Sequence, residues 1–295
     1  MTKFLYLNRL LKRHDLPLLL AVLLLLGSVL LPPFNIDRPI YDVQIIFDIS
    51  QSMNVEDVKI DQISVSRLGL AKAAARSLLV NLPCGSRVGW GVFTGQRSYT
   101  LLTPLDLCLH YSGLLSSLDR IDGSMRWVNA SRVGKGLHQS MRAVQSIGGN
   151  TGVVFISDGH EAPPLREGQR GIPDTSRVQV PGLVIGVGGD RPALIPKTDA
   201  AGRAIGFWQA QDVTQRSNIS INRSGEELSR LYEYHLIRLA QLTNLAYVEL
   251  DSPHALGDAV RDAGFSTIKS VPIDLRWLPA SLALLALGWR FLPLN

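Results

Sequence analysis

Short, nearly continuous apolar runs recur along the middle of the chain, at residues 43–47, 152–156, 178–187 and 246–250. Runs of that length, rich in β-branched residues and bounded by turn residues, predict strands buried on both faces. Amphipathic stretches separate them. Leu68, Ala71, Ala75, Leu78, Leu79 and Leu82 share one helical face, with Ser66 as N-cap and Pro83-Cys84-Gly85 as the stop. Further helices are predicted over 105–118, 133–144 and 253–263, and from a capping box at Ser224-Gly-Glu-Glu227 through Leu242. Residues 87–94 and 97–103 read as a hairpin about Gly95-Gln96. Residues 54–65 predict a polar loop, and 194–223 a long, turn-rich insertion. Strands alternating with helices predict an α/β fold with a doubly wound, mostly parallel sheet.

The two ends follow a different pattern. Residues 16–31 are apolar apart from Pro17, Gly27 and Ser28. As a helix they reach about 24 Å, slightly short of a hydrocarbon core of ~30 Å. Lys3, Arg9, Lys12 and Arg13 precede this stretch, which puts the N-terminus in the cytoplasm. No small-x-small cleavage site lies near Pro32-Pro33, so an uncleaved anchor is expected rather than a signal peptide. Residues 275–294 form a second apolar stretch, with Trp277 and Trp289 near its ends and Arg290 placed to snorkel. The expected organisation is a cytoplasmic segment over 1–15, a transmembrane anchor over 16–32, a domain over 40–265 and a C-terminal transmembrane helix over 275–294. Both termini are then expected inside and the domain outside the cytoplasmic membrane, which for a Gram-negative bacterium places it on the inner membrane facing the periplasm. Net charge is +5, partly carried by the first thirteen residues. The middle is nearly balanced, without a basic run or aromatic platform, so no nucleic-acid partner is expected.

Candidate chemistry gathers at strand ends. Asp48, Ser50 and Ser52 follow the first buried strand, Asp158 follows the run at 152–157, and Ser131 or Asn129 precedes the helix at 133–144. One short Asp-x-Ser-x-Ser pattern is as readily a capped turn. Several oxygen donors at the carboxyl ends of strands suit a hard cation such as Mg²⁺. His160-Glu161 lacks the second histidine of a zinc protease, and the following prolines forbid its helix. Gly186-Val-Gly188-Gly189 is not a dinucleotide fingerprint, because no helix opens after it.

The order Asp48-x-Ser50-x-Ser52, Ser131, Asp158 resembles the von Willebrand factor A domain and its metal-ion-dependent adhesion site, over roughly residues 42–263. That family usually carries Thr at the middle position, where this chain has Ser131. The resemblance implies an antiparallel edge strand, which the hairpin supplies. It also implies a metal set of Asp48, Ser50, Ser52, Ser131 and Asp158 holding Mg²⁺ or another divalent cation. The layout is similar to membrane-tethered bacterial proteins of the aerotolerance (Bat) type, through Ile195-Pro-Lys-Thr-Asp-Ala-Ala-Gly202 and the later Ala-Tyr strand. Four segments look like the relatives encoded with methanol dehydrogenase, of the MxaL type: Asn54-Val-Glu-Asp57, Leu82-Pro-Cys-Gly-Ser-Arg-Val-Gly89, Asp158-Gly-His-Glu-Ala-Pro-Pro164 and Gly206-Phe-Trp208. That implies maturation of a quinoprotein dehydrogenase.

Three functions compete. A binding module would leave one metal position for an Asp or Glu of a protein partner, with Trp127 as a further rim contact. A metal-dependent hydrolase needs a base, and His138 and His160 have no orienting partner in the sequence. A structural anchor would not need Asp48, Ser50, Ser52 and Asp158 together. The expectation is a non-enzymatic binding module. Cys84 and Cys108 flank the hairpin, whose two ends return to one place, so a disulfide within bridging range is expected outside the cytoplasm.

Overall fold

A computed structural model describes residues 16–291 except 167, 170, 200, 214–224 and 265. It divides into two compact units, one of residues Pro39–Thr267 and one of the flanking ends. In chain order, helix α1 (Leu16–Leu30) and strand β1 (Phe34–Ile40) precede β2 (Asp42–Asp48). A 3-10 turn (Gln51–Asn54) and a hairpin of β3 (Val58–Ile60) and β4 (Ile63–Val65) follow, then α2 (Arg67–Asn81). Next come β5 (Arg87–Thr94), β6 (Arg97–Asp106), α3 (Tyr111–Asp119), α4 (Val133–Ile147), β7 (Gly152–Ser157) and β8 (Gly182–Gly186). The insertion holds β9 (Ala193–Leu194), β10 (Pro196–Thr198) and β11 (Ala204–Phe207). The chain closes with β12 (Leu228–Ser229), α5 (Glu233–Thr243), β13 (Ala246–Glu249), α6 (Ala255–Asp262), β14 (Thr267–Ile273) and α7 (Trp277–Phe291).

The main sheet has the order β13-β8-β7-β2-β5-β6. All neighbours are parallel except β6, which runs antiparallel to β5 at one edge. β2 lies at the centre, between β5 and β7, because its residues are apolar toward both faces. Val43, Ile45 and Phe47 pack under α2, α3 and α6 with Leu78, Leu114 and Val260. Ile46 turns to the other face, where α4 and α5 bring Leu137, Met141, Leu236 and Leu239. The Ser66 hydroxyl caps α2 by accepting from the Gly69 amide.

Several expected boundaries move. β6 stays paired with β5 as far as Asp106, so the helix expected over 105–118 begins only at Tyr111. The helix expected from Ser224 begins at Glu233, because Leu228 and Ser229 pair with β9 instead; Ser224 itself lies outside the described residues. The loop at 54–65 contains the β3–β4 hairpin, and the strand at 178–187 shortens to Gly182–Gly186. Cys84 and Cys108 form a disulfide with their Cα atoms 5.4 Å apart. It closes the amino end of β5 against the exit of β6, away from the end of the sheet that carries Asp48.

In the flanking unit, β1 pairs with β14. α1 and α7 meet through Ala21, Ala283 and Ala286, small residues that let two helices approach closely. Arg276 donates to the Leu31 carbonyl. Leucines such as Leu20, Leu23, Leu26, Leu284 and Leu285 are exposed. Each helix has 15 residues, about 22 Å of rise. Among the described residues no helix is long and apolar enough to cross a membrane. The spans expected over 16–32 and 275–294 are therefore not matched by helices of spanning length. Residues 1–15 and the Arg290 side chain lie outside the described residues.

Candidate functional site

Asp48 ends β2 and is fully buried. Its Oδ1 accepts from the Ser50 amide at 2.9 Å, and its Oδ2 accepts from the Ser157 hydroxyl at 2.7 Å. The Ser50 and Ser52 hydroxyls are 3.1 Å apart. Burial, and then the charge of Asp158 on the adjacent strand end, push the Asp48 carboxyl up to about 7. Asp158 is also fully buried, with Oδ1 accepting from the His160 amide at 3.0 Å. Its Oδ2 accepts from Arg67 Nη1 at 2.5 Å and from the Ser229 hydroxyl at 3.0 Å.

Ser131 reaches the same face by backbone pairing rather than as part of a long strand. Its amide and carbonyl bond those of Ala162 at 2.8 and 3.0 Å, while the Arg132 amide donates to the Gly95 carbonyl. The loop that opens α4 is thus fixed between the β5–β6 turn and the segment after Asp158. Ser50, Ser52 and Ser131 line one cavity of about 190 Å³. Asp48 and Asp158 lie at the strand ends outside its wall. Asn129 lines the cavity too, but its Oδ1 already accepts from Gln51 and Arg126. Ser131 is 1% exposed and its buried Oγ has no hydrogen-bond partner, so of these two residues it offers the uncommitted oxygen.

Hydroxyl oxygens converging near a buried carboxylate fit a hard divalent cation. Among the described residues no group of three or more His, Cys, Asp or Glu is placed to hold a metal. His160 lines the cavity and is buried, and burial lowers its pKa. His138 is lowered by burial as well, and it does not line this cavity. The imidazole with a carboxylate partner is His235, 3.1 Å from Glu161, and it lines a neighbouring cavity.

Two parts of the site were not read from the sequence. Arg67, at the start of α2, is fully buried. Its Nε and Nη2 donate to the two oxygens of Asp57 at 3.0 and 2.6 Å, and its other donors reach Asp158 and Ser229. Gln51 lies between the two site serines. Its Oε1 accepts from the Trp208 indole at 2.5 Å and the Thr198 amide at 3.3 Å, and its Nε2 donates to Asn129 at 3.0 Å. Arg126 closes the ring by donating to Asn129 and to Thr198 Oγ1. The insertion is therefore stitched to the site through Gln51 and Arg126. The only sequence signal was its polarity inside a serine pair. Trp127 is about half exposed and stacks edge-on with Tyr99 at 4.9 Å.

A central strand ending at Asp48, with Ser50 and Ser52 just beyond it, beside a strand followed by Asp158, with an antiparallel edge, makes an α/β fold like that of von Willebrand A domains. Residues 43–160 match the von Willebrand factor type A domain family. Among solved structures the chain is similar to an aerotolerance-related membrane protein of Bacteroides fragilis. That likeness has 24% identity and a TM-score of 0.51, and covers 76% of this chain and 98% of the other. It is also similar to the conserved hypothetical protein BatB of Bacteroides thetaiotaomicron, at 23% identity and a TM-score of 0.50, over 76% and 96% of the two chains. These likenesses establish the fold. None of the curated proteins matches the chain.

Proposed function

We propose that the protein is a membrane-tethered binding module, not an enzyme, whose domain captures an acidic side chain of a partner protein at a Mg²⁺-dependent site. Asp48, Ser50, Ser52, Ser131 and Asp158 would hold the ion. The observation that carries this reading is the buried, partnerless Oγ of Ser131, a residue that lines one cavity with Ser50 and Ser52. When bound, the cation would supply positive charge to an incoming carboxylate. Ser157 and the Ser50 amide orient Asp48 in advance, and Arg67 and Ser229 hold Asp158. Against a hydrolase stands His160, which has burial but no orienting carboxylate hydrogen bond on its ring.

The fold shared with an aerotolerance-related membrane protein and with BatB supports a Bat-type interaction module. The exposed leucines of α1 and α7 support a membrane anchor, with the domain in the periplasm of a bacterial inner membrane. A finer reading, maturation of a quinoprotein dehydrogenase by an MxaL-type protein, rests on sequence segments. One observation favours it: Asp57, the segment from Asp158 to Pro164, and Trp208 all gather around the cavity or its supports. Calorimetric titration of the full chain in detergent with MgCl₂ tests the site. One class of binding site that Asp48→Ala abolishes is expected; equal binding by the variant refutes it.

A further inference from the structure

Gln51 stands in the chain between two of the candidate ligands, Ser50 and Ser52, and its side chain is committed elsewhere. It is buried, and both acceptor sites of its Oε1 are filled, by the Trp208 indole and the Thr198 amide. Its Nε2 donates to Asn129, two residues before Ser131. Arg126 donates to the same Asn129 oxygen and to Thr198 Oγ1. The result is a closed ring of hydrogen bonds through three separate parts of the chain. Thr198 and Trp208 belong to the β10–β11 hairpin of the insertion, whose pairing of Pro196 with Phe207 brings them to one glutamine. Neither strand of that hairpin has a buried residue, so packing of the strands alone does not fix its place.

We infer that Gln51 is a positioning residue for the cation: through it the docked insertion holds the Ser50–Ser52 turn and the Asn129–Ser131 loop in place, so that insertion and cation favour each other. Undocking would strip a buried amide oxygen of both its donors, and a buried acceptor left unpaired is costly. The 3-10 turn that opens at Gln51 must then shift to hydrate that oxygen, and Ser50 and Ser52 move with it. Asn129 shifts in the same event, because Gln51 is one of its two donors. Such coupling is reciprocal: the factor that docking adds to cation affinity, the cation adds to docking. This inference rests on the metal-dependent reading above. It adds a role for a residue that the strand-end motif leaves unspecified.

The test uses the full chain in detergent. Mg²⁺ affinity is measured by calorimetric titration. Docking is measured by hydrogen exchange, read by mass spectrometry, at the backbone amides of 195–199 and 204–213. Trp208→Phe keeps an aromatic ring and removes the indole donor, so it should weaken Mg²⁺ binding roughly fivefold, the worth of one buried hydrogen bond. Saturating Mg²⁺ should slow exchange of these amides in the wild type and slow it less in Trp208→Phe. Gln51→Ala should weaken binding further, and adding Trp208→Phe to it should weaken binding no more, because both changes break one contact. A merely structural role would lower the thermal midpoint of Trp208→Phe and leave both readouts as in the wild type. That result, or insertion exchange that Mg²⁺ leaves unchanged, would overturn the coupling while the metal-dependent reading stands. A wild type that binds no Mg²⁺ would defeat that reading and this inference with it.

Discussion

Arg67 shows how far a single residue can depart from what its position in the chain suggests. It follows the N-cap of a helix, where a cation is ordinarily solvated. Here it is fully buried because Asp57, Asp158 and Ser229 together accept from its guanidinium. Burial opposes its charge, yet the carboxylates hold its pKa above the ordinary value. Burial likewise opposes ionisation of Asp57, and Arg67 overrides it and holds that carboxyl below its usual range. Arg67→Ala strands two acidic groups, so the domain should lose about 3–5 kcal/mol in urea denaturation; a loss below about 1 kcal/mol would contradict this account. Asp48 works in the opposite sense. Its carboxyl is raised from 3.8 to about 7, so the folded state binds a proton that the unfolded chain releases. That contribution is present below about pH 4 and is lost as pH rises through about 7, a difference of at most about 4 kcal/mol. In EDTA, the thermal midpoint should fall across that window, and Asp48→Asn should flatten the fall. The same ionisation should tighten Mg²⁺ binding as pH rises. The strand-end positions of Asp48 and Asp158 were legible because each stands at the end of a buried apolar run. Arg67 and Gln51 were not, because their partners lie up to 162 and 157 residues away.

At the scale of elements, α4 sets where Ser131 sits. Gly136 lets the helix lie against the sheet: a Cβ there would stand 2.2 Å from the Phe93 ring of β5. Gly136→Ala should therefore cost about 1–3 kcal/mol and weaken Mg²⁺ binding by displacing the α4 loop. Chemical denaturation and metal titration of the same variant check both effects, and an unchanged metal affinity would separate α4 packing from the site. The Cys84–Cys108 bridge lies at the other end of the sheet and closes a sequence separation of 24. Replacing both cysteines by serine should cost about 3 kcal/mol in the chain-entropy account and leave Mg²⁺ affinity unaltered. The central strands were readable because burial on both faces writes a continuous apolar run. The start of α5 was not, because Leu228 and Leu231 keep helical spacing while pairing with β9 draws Leu228 and Ser229 into a strand. The β10–β11 hairpin has no buried face to impose alternation, so its short segments, Pro196–Thr198 and Ala204–Phe207, read as loop.

At the scale of the whole molecule, the composition of the ends was plain and their reach was not. Apolar residues 16–31 and 275–294 predict spans, but the helices formed by the described residues cover 15 positions each. If the flanking unit is nevertheless the anchor, fractionated cells should retain the full chain in membranes after a carbonate wash and release it with detergent. Reporters fused to either terminus should be active only on the cytoplasmic side. Recovery in the soluble fraction would refute the anchor, and a C-terminal reporter active in the periplasm would refute the paired topology.

If the domain lies in the periplasm as proposed, the pairing of Cys84 with Cys108 would also make the chain a witness to its own delivery. Cytosolic reductants keep thiols reduced, whereas an extracytoplasmic compartment oxidises them. No cysteine remains free once the bridge forms, since these are the only two in the chain. A maleimide-polyethylene glycol tag applied to denatured, unreduced protein would then add two labels to molecules stalled before export and none to those that have arrived. In a pulse-chase, the decay of the doubly tagged band would time passage across the membrane without a fused reporter.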